Sequence, residues 1–217
     1  DLFPSRISSN DYLKLFAAVK EANFNMIRVW GGGIYESDEF YRLADENGIL
    51  IWQDFMFSGC MYPSDSSFMA QVKQEAEYNV KRLSNHPSLA LWCGNNEIQV
   101  AWENWGWQKQ YNINTEEAAK MYSGYKKIFH ELLPSIIAKS DSGRFYFPSS
   151  PQSNWGNANA LKSGDNHYWG VWHGEEPVES YLTNIPRFAS EFGLPSLPGI
   201  NILARYVEPD KLKLDND

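Results

Sequence analysis

Short apolar runs alternate along this chain with longer stretches of helical period. "NMIRVW" (25–30) is apolar enough for a buried strand, and Gly31 to Gly33 follow it. "SDEFYRLADENG" (37–48) carries the marks of a helix: Ser37 at the N-cap, acids in the first turn, Gly48 just past the end. "ILIWQDF" (49–55) is the next strand. A long helix is predicted over 66–85, with Val72, Ala76, Val80 and Leu83 on one face and Pro87 stopping it. "LALWCG" (89–94) gives a third strand. Thr115 is read as the cap of a helix carrying Ala118, Met121, Tyr122, Tyr125, Phe129 and Leu132. "RFYFPS" (144–149), "NHYWGV" (166–171) and "RFASEFG" (187–193) read as strands four to six, and 9–22 and 199–206 as helices.

Alternation of this kind argues for an α/β fold with parallel strands and crossover helices. Nothing repeats and no Gly/Ser linker divides the chain, so 1–217 reads as one domain. Two architectures fit: an open doubly wound sheet or a (β/α)8 TIM barrel. "GGG" at 31–33 is not a GxGxxG fingerprint, and no P-loop is present. Polar residues gather just after the strands: Asp54, Asn95, Asn96, Glu97, His167 and Glu191. A barrel places its chemistry at that end, and a full barrel takes about 250 residues. About six βα units in 217 residues leave such a barrel short by two.

Composition narrows the function. The net charge is −8 with no basic stripe, which argues against nucleic acid. No segment is apolar and long enough to span a bilayer. Cys60 and Cys93 belong to no CxxC pair, so no metal site is implied, and both are expected as buried free thiols. No motif implies a cofactor. Aromatic residues reach 15%, with nine Trp. Trp102, Trp105 and Trp107 form one cluster and Trp155, Trp169 and Trp172 another. Rings in loops after strands suit stacking on sugar, although aromatics more often build core.

Glu97 and Glu191 each end a predicted strand. Two carboxylates about 5–5.5 Å apart are the equipment of a retaining glycosidase, one as nucleophile and one as acid and then base. A single strand-end Glu is more often solvated or salt-bridged; the pair beside aromatic rings weakens that reading.

"NFNMIRVWGGGIYESDEFYRLADENGILIWQDF", "NHPSLALWCGNNE" and "RFASEFG" resemble the catalytic barrel of the β-mannosidases of glycoside hydrolase family two, and the resemblance covers nearly the whole chain. It implies a retaining exo-hydrolase releasing terminal β-D-mannose from β-mannosides, with a carbohydrate substrate as its partner. Glu97 matches the family's acid/base after barrel strand four, and Glu191 its nucleophile after strand seven. Asn96 matches the amide that binds the sugar 2-hydroxyl. Trp30 and Trp105 match sugar-contacting rings, His167 and Trp169 lie at the strand-six end, and Asp54 is placed near the acid/base. The alternatives are a β-galactosidase, β-glucuronidase or exo-glucosaminidase, or an inactive sugar-binding piece. The resemblance further implies an incomplete barrel whose first and last strands are absent from this chain, a fragment of a multidomain enzyme whose open edges would favour self-association. Periplasmic, secreted and lysosomal locations are all compatible with it.

Overall fold

The computed structural model describes residues 3–154, 159–194 and 196–211; Trp155 lies outside the described residues. The strands are β1 (Met26–Val29), β2 (Leu50–Asp54), β3 (Leu89–Cys93), β4 (Phe145–Phe147), β5 (Ser153–Asn154), β6 (Asn166–Tyr168) and β7 (Ala189–Phe192). They form two sheets with orders β1-β2-β3-β4 and β5-β6-β7. Every pairing is parallel. All six expected strands are present, with shorter bounds, and the two-residue β5 is an addition that apolar runs could not signal.

The segment from β4 to β5 passes from one sheet to the other. Ser150 continues the ladder past the end of β3: its N–H donates to the Asn95 carbonyl (2.9 Å), and its carbonyl accepts from the Glu97 N–H (2.7 Å).

The helices are α1 (Ser9–Glu21), α2 (Asp38–Asn47), α3 (Ser66–Leu83), α4 (Ile98–Asn104), α5 (Trp107–Gln110), α6 (Thr115–Lys126), α7 (Leu133–Ser140) and α8 (Ile200–Leu203). Gly48 ends α2 at φ 65°, as its position in the sequence predicts. The cap of α6 is Asn114, not Thr115. The Asn114 side chain accepts from the Glu117 N–H (3.0 Å), and Glu117 reciprocates to the Asn114 N–H (3.1 Å). A π-helical stretch, Lys127–Leu132, joins α6 to α7. Pro134 follows it, and a proline's missing N–H and ring clash break the regular i→i−4 ladder there.

Alternation within the strands sets the two faces of the larger sheet. Val29 and Ile51 enter a core with Phe16, Phe40, Tyr41, Val80, Leu83, Phe129 and Leu133, all from the helical layer or its margins. Trp52 points the other way, 5.6 Å from Phe147 and 5.7 Å from Phe188, and so bridges the two sheets. Both cysteines are free; Cys93 is buried as expected, but Cys60 is exposed because it lies in the loop after β2.

Candidate active site

The site begins with Arg28, the one charge in β1. It shares its register position with Trp52, and its guanidinium lies 5.2 Å from the Trp52 ring centroid. Its neighbours Ile27 and Val29 face the helices, so alternation sends Arg28 to the opposite face. There it contacts three strand ends. Nη2 donates to Asp54 Oδ2 and to Asn96 Oδ1, both at 2.9 Å. Nη1 donates to Glu191 Oε1 at 3.0 Å.

Asp54 is fully buried. Besides Arg28 it accepts from the Trp52 indole (2.7 Å) and the Gly31 N–H (2.9 Å). A Cβ on Gly31 would lie 2.6 Å from the Phe57 carbonyl oxygen, so only glycine lets the β1 turn come this close. Asp54 thus anchors Arg28.

Glu97 sits at the N-cap of α4 with φ 62°. A left-handed conformation at a residue other than Gly costs on the order of 1 kcal/mol, and such outliers gather at functional sites. The bonds to Ser150 and from the Ala101 N–H (2.9 Å) to its own carbonyl hold this backbone in place. The side chain reaches His167, whose Nδ1 lies 2.8 Å from Glu97 Oε1 and 3.4 Å from Glu191 Oε2. One donor atom from each of the three residues lies within 4.8 Å of the others. A carboxylate–imidazole trio of this size has the ligand types of a divalent cation site, but Arg28 holds a fixed positive charge against it.

Burial raises the Glu191 pKa above the ordinary carboxylate value. His167 and Arg28 pull it back down, Glu97 pushes it up, and a hydrogen bond with Trp169 lowers it. The ionised form of Glu191 therefore depends on its cationic neighbour and on the proton of His167.

Glu97, Glu191, Asn96, His167, Asp54 and Trp169 thus converge on one cluster. Trp30 and Trp105 are half-exposed, at 47% and 49%, and among the described residues neither hydrogen-bonds to that cluster. Trp105 meets Trp107 edge to face. Trp102 and Trp107 line a cavity of about 240 Å³ with Gly59, Cys60, Tyr111 and Met121. That cavity begins beside the cluster, because the Gly59 N–H donates to the Asn96 carbonyl (3.3 Å). Arg28 was missing from the sequence-based set, although a charge inside a strand otherwise read as buried was a usable signal. Ser150 and Asp165, which back His167, had none; they are common loop residue types.

No family model matches the chain. Beta-mannosidase B of Aspergillus niger is 39% identical over 218 residues, covering 98% of this chain and 25% of the relative. Beta-mannosidase B of Thermothelomyces thermophilus is 38% identical, covering 97% and 26%. The crystal structure of the β-D-mannosidase from Dictyoglomus thermophilum superposes with a TM-score of 0.81 at 41% identity, over 95% of this chain and 24% of that one. A Bacteroides uniformis β-glucuronidase, at 17% identity and a TM-score of 0.55, shares the fold. Over nearly its whole length the chain is similar to these β-mannosidases, of whose own length it spans about a quarter.

Proposed function

We propose that this chain supplies the catalytic residues of a retaining exo-β-mannosidase of glycoside hydrolase family two, built on units two to seven of a (β/α)8 barrel. In this reading β4 and β5 are two halves of one barrel strand bent at Ser150. The observation that carries the proposal is the approach of Glu97 and Glu191, with one oxygen of each within 4.8 Å, at the same ends of parallel strands. That figure is an oxygen–oxygen limit; it suits direct displacement by a carboxylate better than the 6.5–9.5 Å gap that admits a water.

Glu191 is the nucleophile. Arg28 occupies Oε1 and leaves Oε2 for the anomeric carbon. As the C1–O bond breaks, Glu97 gives its proton to the departing oxygen, and a glycosyl ester forms on Glu191. Glu97, now a carboxylate, takes a proton from water as the water attacks C1 and frees Glu191. Asn96, with Oδ1 held by Arg28, turns its NH2 toward the sugar 2-hydroxyl. Trp169 borders the same sugar; Trp30 and Trp105 stack farther out. The names of the relatives favour mannose over galactose or glucuronic acid.

The test is made in the full-length protein. Glu191→Ala should abolish hydrolysis of every aryl β-mannoside, by at least about 10⁴-fold. Glu97→Ala should still form the intermediate from a dinitrophenyl mannoside and then stall. Azide should release it as β-mannosyl azide, since two inversions retain configuration. An α-azide from Glu191→Ala with no rescue of Glu97→Ala would reverse the assignments. Hydrolysis of another sugar's nitrophenyl glycoside in preference to the mannoside would overturn the substrate.

A further inference from the structure

His167 is almost wholly buried, and each of its ring nitrogens faces a different network. Nδ1 faces the two glutamates. Nε2 lies 3.0 Å from Ser150 Oγ, a hydroxyl that is itself fully buried. Behind it stands Asp165, which is 1% exposed. Ser150 Oγ lies 2.6 Å from Asp165 Oδ2, and so does Ser190 Oγ, while the Gln152 N–H donates to Oδ1 at 2.8 Å. A carboxylate surrounded by three donors is an acceptor only. The single Ser150 proton therefore points to Asp165. Ser150 Oγ is left as an acceptor, and its partner must be an Nε2–H. Arg28 Nη1 is farther away, at 3.4 Å from Nε2; one of its two protons goes to Glu191, and the other is a longer, weaker competitor for the Nε2 position than Ser150 Oγ at 3.0 Å.

We propose that Asp165 and Ser150 act as positioning residues that fix the proton of His167 on Nε2, so that the Nδ1 lone pair faces Glu97 and one proton is shared between them. With Nε2 already protonated, a 2.8 Å contact between Nδ1 and Glu97 Oε1 needs a proton in between. That proton belongs either to the carboxylic acid or to the imidazolium. In both forms it lies where a departing oxygen beside Glu97 can receive it. The charged groups facing the ring are Glu97, Glu191 and Arg28, with Asp165 behind Ser150 and Asp54 behind Arg28. The role given to the shared proton rests on the glycosidase reading above; the direction of the relay does not.

Asp165→Asn is the informative variant. The Gln152 N–H requires an acceptor at the Oδ1 position, so the new amide oxygen goes there and the NH2 takes the place of Oδ2. Ser150 Oγ then accepts from the amide and turns its own proton to His167 Nε2. The tautomer reverses, and Nδ1–H donates to an ionised Glu97. Neutron diffraction from perdeuterated crystals of the full-length protein reads this directly. Deuterium on Nε2 in the wild type and on Nδ1 alone in Asp165→Asn is expected. A bare Nε2 in the wild type, or an unchanged tautomer in the variant, overturns the relay. If the variant does not fold, the wild-type map decides by itself.

The kinetic reading is separate. Asp165→Asn should lower kcat on alkyl β-mannosides by about 100-fold, with KM within about twofold and dinitrophenyl mannoside losing less than about tenfold. An equal loss on both substrates would make Asp165 merely structural. If neither form hydrolyses mannosides, the glycosidase reading fails while the neutron maps still judge the relay.

Discussion

Glu191 shows how much the surroundings of one side chain decide. Its side chain is 20% exposed, and burial is the largest influence on its charge. Because its folded pKa lies above the ordinary value, the neutral form is the one the fold favours. That contribution is fully present below the unfolded pKa and is lost as pH rises through the folded pKa. Glu191→Gln is always neutral and still able to accept from Arg28, so it should melt higher than wild type at pH 7. The difference should close as pH falls to about 4, with each kcal/mol moving Tm by about 2–4 °C. Calorimetry across that range is the check; a Gln variant that melts lower at pH 7 would show that the Arg28 ion pair outweighs burial.

At the scale of elements, the two ends of the strands do different work. At their starts the polar groups are tied to backbone. Arg144 donates to the carbonyls of Ser84 and His86 and to Asp141, which accepts from the Trp92 indole. Asp45 accepts from the Ser88 N–H and pairs with His86. These bonds fix the turns between helices and strands. At the other ends Asn96, Glu97, His167 and Glu191 bond mainly to one another and to Arg28, which leaves a cluster able to act on a ligand. The helices are placed by caps, and α6 supplies a test. Asn114→Ala should cost about 1 kcal/mol, because it removes the oxygen that holds the Glu117 N–H. Thr115→Ala should stay within about 0.5 kcal/mol. Urea melts of the two variants would check this, and the opposite ranking would return the cap to Thr115.

For the whole molecule, the sheets leave apolar surface at one side. Leu182, Ile185, Phe192, Leu197 and Ile200, on β7 and the segments around it, are exposed. Unpaired edges with such surface tend to recruit another chain. The 217-residue chain produced by itself should therefore associate between about 1 and 100 µM in sedimentation velocity, and Phe192→Lys should shift it toward monomer. A monomer throughout that range would mean that the edges protect themselves.

The sequence by itself determined the alternation of strands and helices, because period and cap chemistry act over a few residues. It also placed Asn96 and Glu97 just past an apolar strand, where the run stops at polar residues, while His167 and Glu191 lie within β6 and β7. Tertiary structure decided what those residues touch. Nothing local in "IRVW" says that Arg28 will meet Asp54, Asn96 and Glu191 at once; that follows from three strands lying parallel and from which face alternation gives to Arg28. The left-handed backbone of Glu97 likewise depends on Ser150, which it meets only when the chain is folded, whereas the cap at Asn114 is local, with Glu117 three residues on. Ser150 and Asp165 are ordinary loop residues in the sequence. They reach His167 because the β4–β5 segment crosses between the sheets, and burial there forces every donor to find an acceptor.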